Sequence, residues 1–454
     1  MSVGSWHSIT PVLLLMVSLT AQAQPAPSLQ ERLAATAPGD TLRVVGGVHP
    51  GPLRITKPVV LLGVDAPVID GQGRGTVVTI EAPDVMLRGF VIRNSGRSLD
   101  REDAGIAVYA DRVTIADNRL ENVLFGIYLR QADSCRILRN MIEGDPSLDT
   151  PRRGDQIRLW YSNDVLIEGN TTRHGRDVVI WFARSVVLRD NTMQFGRYGL
   201  HFMYSDSALV ERNRMLRNSV GAYLMYSTRL TFRRNLLAYN RHASAIGVGL
   251  KDMDEVTVDE NVLVDNQIGI FIDNSPRAID AQIHYRGNVV AYNDIGVQAL
   301  QDAPRSTFED NSFLENYEQI DLVGGGRFSE ANGTFWQRNY WSDYRGYDAD
   351  RDGYGDVPYR AVALFDALTD RTPAFRLFAF SPAVQALELA ARAFPVIRPE
   401  PKLTDPAPRM RPRLPEGLPA VHQPMRPTLA LAGLTLLLMG LWTMGRAHLR
   451  RLHG

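Results

Sequence analysis

The sequence predicts an all-β protein: a right-handed parallel β-helix, a solenoid with coils of about 22 residues, followed by a C-terminal transmembrane helix. Three observations predict it. Asparagine recurs at near-constant spacing through the middle of the chain. Apolar residues alternate with period two on either side of each asparagine. An 18-residue uncharged run lies close to the C-terminus.

The elements follow in chain order. Pro11 to Leu19 reads PVLLLMVSL, too short to span a bilayer, and Ala21-Gln22-Ala23 offers the small residues a signal peptidase cuts after. Residues 1–23 are therefore expected to be an export signal, although the first ten residues contain no Lys or Arg. Residues 24–94 are expected to form the N-terminal coils and cap.

The repeat is clearest over residues 95–325. Asn94, Asn118, Asn140, Asn170, Asn191, Asn213, Asn235, Asn261, Asn288 and Asn311 are spaced 21 to 30 residues apart. A glycine track runs about eight residues later, at Gly126, Gly199, Gly221, Gly269 and Gly296, and alternating apolar pairs such as Leu200/Phe202 and Ala222/Leu224 follow it. Period-two alternation means strand. Short strands with no room for a helix between them mean stacked coils. Stacked asparagines suit side-chain hydrogen-bond ladders and tight positive-φ corners, so their role is read as structural. The longer spacings mark loops that leave the coil: Glu143 to Asp155, Arg241 to Ala245 and Asp273 to Ala278.

Residues 326–394 should cap the solenoid, with Trp336, Tyr340, Trp341 and Tyr344 covering the last coil. Pro395 to Arg426 carries nine prolines and is expected to be an extended stalk. Thr428 to Gly445, TLALAGLTLLLMGLWTMG, is near the lower length limit for a spanning helix. Arg446, Arg450 and Arg451 follow, which predicts a membrane helix over 427–445 with a cytoplasmic tail at 446–454.

Composition narrows the function classes. Lys+Arg and Asp+Glu are 50 each in 454 residues, so the formal charge is zero, which argues against nucleic acid as a partner. The single cysteine, Cys135, excludes an intramolecular disulfide framework and a cysteine-based zinc or iron–sulfur site.

The outer faces carry the candidate chemistry. In Gly199-Leu-His-Phe-Met-Tyr-Ser205 and Gly221-Ala-Tyr-Leu-Met-Tyr-Ser227, one coil apart, alternation turns Leu200, Phe202, Ala222 and Leu224 inward. His201 should then stack with Tyr223 and Met203 with Met225, and Lys251 should follow in the Met225 track. Met193 and Met215 are expected to pair on another outer face, with His174 nearby. The register of Val179-Ile-Trp181 on the preceding coil is fixed only to within one residue. Thioethers with imidazole suit Cu(I), so His201, Met203 and Met225, then His174, Met193 and Met215, are candidate copper ligands. The same surface reads equally as a docking patch formed by Tyr198, Tyr204, Tyr223, Tyr226 and Lys251, or as packing beneath a loop. A carbohydrate-cleaving β-helix needs clustered outward carboxylates, and here they are scattered. Asp348, Asp350, Asp352 and Asp356 have the spacing of a calcium loop, with Gly353 at the sharp turn. Position 12 is Tyr359 rather than Glu, so the bidentate ligand of that motif is missing; an Asp/Gly-rich cap turn is the other reading.

The blocks Arg197-Tyr-Gly-Leu-His-Phe-Met-Tyr204, Gly221-Ala-Tyr-Leu-Met-Tyr-Ser227, Gly247-Val-Gly-Leu-Lys-Asp252 and Asn339-Tyr-Trp-Ser-Asp-Tyr-Arg-Gly-Tyr-Asp348 resemble the NosD family, over roughly Asp40 to Arg360. The resemblance implies a periplasmic β-helix protein, not known as an enzyme, needed for maturation of nitrous oxide reductase. It implies a NosF-like ATPase and a NosY-like membrane subunit as partners in an ABC-type complex. It further implies a NosL-like copper donor and a NosZ-like reductase as recipient. The stalk and helix depart from the family pattern, in which the protein is a soluble subunit held by NosY.

Overall fold

In a computed structural model, residues 27–242, 245–300, 303–323, 327–328, 330–362 and 401–414 are described, with three single residues between 381 and 386. The expected export signal, the membrane helix over 427–445 and the tail at 446–454 lie outside the described residues. Among the described residues, no helix is long and apolar enough to cross a membrane.

Short strands stack into a parallel β-solenoid of about 12 turns with three faces. The first and second sheets have 13 strands each and the third has 12, and every strand pairs with its equivalents three strands away in sequence. Each coil therefore visits all three faces before climbing one step. A helix, Leu29–Ala35, closes the N-terminal end. Ser28 and Glu31 form a capping box at its start, and Leu29 and Leu33 turn onto the first coil.

Asparagine fixes the coil height. Asn213 donates from Nδ2 to Leu188 O (2.8 Å) and to Asn235 Oδ1 (3.1 Å), and its backbone N–H donates to the same oxygen. Its own Oδ1 accepts from Asn191 N and Nδ2, both at 3.0 Å. The pattern repeats from Asn118 through Asn140, Asn170, Asn191, Asn213, Asn235, Asn261, Asn288 and Asn311 to Asn339. All of these side chains are buried, and each is satisfied by its neighbours. Asn94 does not belong to this ladder. Phe90 occupies the corresponding place, its N–H donating to Asn118 Oδ1, while Asn94 bonds Asp70 and Asn122 in a separate row. A second ladder, Asn218, Asn240, Asn266, Asn293 and Asn316, follows five residues behind the first. The two ladders flank the second sheet.

The proline-rich segment corrects the stalk expectation where it is described. Thr404–Asp405 pairs antiparallel with Tyr359–Arg360, and Leu403 is buried. Prolines bar long strands but not a two-residue one between Pro401 and Pro406. The Asp405 carboxylate ends the asparagine ladder. Its Oδ2 accepts from Asn339 N and Nδ2 and from Trp341 Nε1, while Oδ1 accepts from Arg338 N and Ala407 N. Beneath it Phe313, Trp341 and Tyr359 stack at 4.3–4.4 Å. Trp336 stacks on Phe308 at 3.8 Å. Trp336 and Trp341 thus lie within the last coil, and Leu403 and Asp405 complete the cover.

Every group facing Asp405 is a donor, so only a carboxylate fits. Asp405→Asn, isosteric but carrying its own N–H donors, is expected to cost roughly 1–3 kcal/mol. Chemical denaturation of the two proteins measures this; equal stability would show that the last rung does not need its charge.

Candidate functional site

The third sheet brings the predicted residues together. Its strands Tyr198–Met203, Val220–Met225 and Ile246–Lys251 pair in register, with His201 opposite Tyr223, Met203 opposite Met225 and Met225 opposite Lys251. Leu200, Phe202, Ala222 and Leu224 are buried beneath them. Met203 and Met225 stand partly exposed on the outer face. Register partners on adjacent parallel strands lie about 4.8 Å apart, a spacing at which two thioethers can share one ion.

Preceding coils extend both tracks. A bulge between Asp177 and Val179 resolves the register the sequence left open: Val179 faces His201 and Trp181 faces Met203. Trp160 faces Trp181, and Arg158 faces Val179. The outward row therefore reads Trp160, Trp181, Met203, Met225, Lys251, Asp273.

The bulge also places Asp177 against His201. Nδ1 of His201 lies 3.2 Å from Asp177 Oδ2, while Arg197 donates to Asp177 Oδ1 from Nε at 3.0 Å. Burial works against charge on Asp177, but the hydrogen bonds from His201 and Arg197 outweigh it and hold its carboxyl below the usual range. With Nδ1 engaged, the free position is Nε2, which is buried without a hydrogen-bond partner. A carboxylate on one imidazole nitrogen, with the other left open, is the arrangement that orients a metal-binding histidine. Tyr198 packs edge-on against His201 at 5.0 Å. Tyr223 leans the other way, onto Gly249, where any Cβ would meet its ring at 2.3 Å.

The other predicted residues part company. Met193 and Met215 do pair across adjacent coils, but they point into the core at 1% and 0% exposure. They hold the middle position of three-residue strands whose equivalents include Ile142 and Leu237, and that position faces inward. They are core side chains, not donors on an outer face. His174 sits at a corner after Thr171–Arg173, stacked on Phe195 at 5.3 Å, with Nδ1 3.4 Å from Glu143 but outside hydrogen-bond geometry. Lys251 is bound by Asp273, whose carboxylate holds the ammonium above its usual range. Cys135 is buried, and burial pushes its thiol up to about 11, so it offers no thiolate to copper.

The tyrosines divide between two surfaces. Tyr198 and Tyr223 border His201. Tyr204 and Tyr226 belong to a stack at the next corner, Tyr161, Phe182, Tyr204, Tyr226, with centroids 4.7–5.1 Å apart. All four residues have positive φ. A groove of about 670 Å³ runs beside this stack, closed on its far side by Arg277, Ala278 and Asp280. Its Asp254 carboxylate accepts from the backbone N–H of Arg277 and Ala278.

Sequence reading missed Asp155, Asp177, Arg158 and the two tryptophans. Arg158 is ringed by Phe125, Tyr128, Trp160 and Trp181 and bonded to Glu102 at 2.9 Å. Asp155 bonds Arg176 as Asp177 bonds Arg197, and these residues recur at coil spacing in GDQIRLW, RDVVIW and RYGLHFM. That repetition was the available signal.

After the coils, the carboxylates of Asp348, Asp350 and Asp352 converge, with ligand atoms all within 4.8 Å of one another. Gly353 adopts φ +91° at the turn. Asp356 stands apart from the three, its Oδ2 accepting from Ala349 N at 2.7 Å.

Asp177→Asn in the metal-free protein is expected to cost about 1–3 kcal/mol at pH 7. A depressed carboxyl pKa contributes stability that is present above about pH 4, the unfolded value, and lost as pH falls through the folded value. The gap between wild type and variant should therefore close in acid. Denaturant midpoints across pH measure it, and a pH-independent gap would refute the electrostatic origin.

Comparison with known proteins bears on the family of the chain. The family described as "Periplasmic copper-binding protein (NosD)" matches residues 138–346, a span that contains all of it. A protein of Pseudomonas aeruginosa named "Probable ABC transporter binding protein NosD" is 32% identical, covering 88% of this chain and 94% of its own. One of the same name from Stutzerimonas stutzeri is 29% identical over 90% and 95%. Among solved structures, an alginate lyase in complex with G6 has 12% identity and a TM-score of 0.46, covering 69% of this chain and 77% of that one. Identity at this level along nearly the whole length places the chain in the NosD family.

Proposed function

We propose that this protein is a periplasmic accessory factor that carries Cu(I) on the Met203–Met225 face and passes it on during maturation of nitrous oxide reductase. The observation that carries the reading is the pairing of two outward thioethers on adjacent coils, beside a histidine whose Nε2 is buried without a partner. Copper is cargo here, not a resident cofactor. His201, Met203 and Met225 are its ligands. With Met193 and Met215 turned inward, His174 loses the thioether partners expected for it.

The family description and the names of the relatives support copper and an ABC-type transporter. The finer assignment is ours. The partners are a NosF-like ATPase, a NosY-like membrane subunit, a NosL-like copper donor and a NosZ-like reductase as recipient. Tyr198 and Tyr223, bordering His201, and Tyr204 and Tyr226, along the corner stack, give a partner two aromatic contact surfaces flanking the cargo. Export by the N-terminal signal and tethering by the 427–445 helix belong to the same proposal. So does Ca²⁺ at Asp348, Asp350 and Asp352, where oxygen donors suit a hard cation and not Cu(I).

Anaerobic Cu(I) titration tests the site. Met203→Ala/Met225→Ala should weaken binding at least tenfold, about 1.4 kcal/mol or more. Met193→Leu/Met215→Leu, a volume-conserving change in the core, should leave affinity unchanged. The reverse pattern would move the site off this face. A carbohydrate-binding reading, suggested by the 670 Å³ groove, predicts instead that uronate polymers bind and that Cu(I) does not. Calcium has its own measurement: millimolar CaCl₂ should raise the melting temperature of the wild type but not of Asp350→Asn, and equal shifts would remove the ion from that loop.

A further inference from the structure

The outward row of the third sheet includes Trp181 one coil before Met203, and the orientation of its indole extends the copper reading, on which this inference rests. Phe182 and Tyr204 stack on successive coils, 5.1 Å apart with planes 6° from parallel, so a face of Phe182 looks toward the next coil. Trp181 lies 7° from the plane of Phe182. Its faces therefore look, like those of Phe182, toward the neighbouring coils. One face meets Trp160 on the preceding coil, centroids 4.9 Å apart and planes at 87°, an edge against a face. The other face looks toward the coil of Met203, its register partner. The indole Nε1–H is buried with no partner, so packing against Trp160 and Phe182, not a hydrogen bond, sets the ring's angle.

An indole face carries the negative part of the ring quadrupole and is the strongest aromatic partner for a cation. Cu(I) is soft and singly charged and takes neutral, polarizable donors. We infer that Trp181 is a π-ligand of the bound Cu(I), covering it from the N-terminal side of Met203 while Met225 approaches from the C-terminal side. Trp160 supports the indole from behind and is a positioning residue. The site then takes a soft monovalent cation held by two thioethers, an imidazole and an indole. Binding breaks no covalent bond and moves no electron.

The test is anaerobic competition between bicinchoninate and the full chain for Cu(I), with tryptophan emission recorded in parallel. Wild type should bind one Cu(I) with quenching of its emission. Trp181→Leu should keep the one-to-one stoichiometry, lose the quench and bind about five- to thirtyfold more weakly. Trp181→Phe, which keeps a weaker aromatic face in the same packing, should show a smaller loss of affinity and also lose the quench. Trp160→Phe should keep the quench and lose less affinity than Trp181→Leu. Affinity within twofold of wild type in both Trp181 variants, with the quench retained, overturns the indole assignment while leaving the thioether site standing. Absence of Cu(I) binding in wild type, or wild-type binding by Met203→Ala/Met225→Ala, overturns the copper reading itself and this inference with it.

Discussion

Everything on the surface of this protein depends on the asparagine ladder. Each rung donates to and accepts from its neighbours inside the wall, so a coil cannot shift by one residue without orphaning several buried polar groups. In a sheet a one-residue slip reverses every side chain between core and solvent. The ladder therefore locks the parity of each strand. Loops of varying length, including the 30-residue step from Asn140 to Asn170, are absorbed outside the rungs, and the equivalent positions still stack. Asp405 can end the ladder because a terminator needs only acceptors.

That locked parity converts sequence spacing into chemistry. Met203 and Met225 are 22 residues apart in the chain and become neighbours because both coils hold the same register. The bulge at Asp177 shows the same rule by exception. The extra residue lies in the later strand, where Tyr198 to His201 takes three steps against two from Asp177 to Val179, and the Asp177 carboxylate reaches His201. Bulges often re-aim a side chain beside a functional site.

The solenoid, its repeat length and the Met203–Met225 pair were legible in the sequence because they rest on period-two alternation and a polar residue at each corner. Where the structure departs from these patterns, each departure has a local cause. Asn94 has the right spacing but lies four residues beyond the rung, which Phe90 fills. The second ladder lay in plain sequence, five residues behind the first, masked by the glycine track. The 22-residue spacing of Met193 and Met215 pairs them but does not fix their direction, and they occupy the inward track held elsewhere by Ile142, Leu237 and Leu263. The proline-rich segment was read by composition, and composition cannot see a Leu-Thr-Asp triplet that completes a ladder. Asp177 was invisible for a different reason: its partner is 24 residues away and meets it only through the bulge.

The zero net charge acquires a structural meaning through the same stacking. Along the outside, arginines pair with carboxylates one coil away: Arg112 with Asp84, Arg139 with Asp117, Arg212 with Asp190 and Arg286 with Asp259. These exposed pairs add little stability individually, but each matches a positive charge to a negative one. The row from Trp160 to Met225 interrupts this pattern with neutral, polarizable groups. In that row Arg130 precedes Trp160, and Lys251, held by Asp273, follows Met225; Arg158 sits on the neighbouring track in its aromatic cage, paired with Glu102. A donor set without formal charge cannot neutralise a dication, and burying uncompensated charge is costly. On the proposed copper reading, such a set suits a monovalent soft ion at modest cost. On that reading the neutrality of the donors favours both the selection of Cu(I) and its release, the two properties the proposed carrier needs.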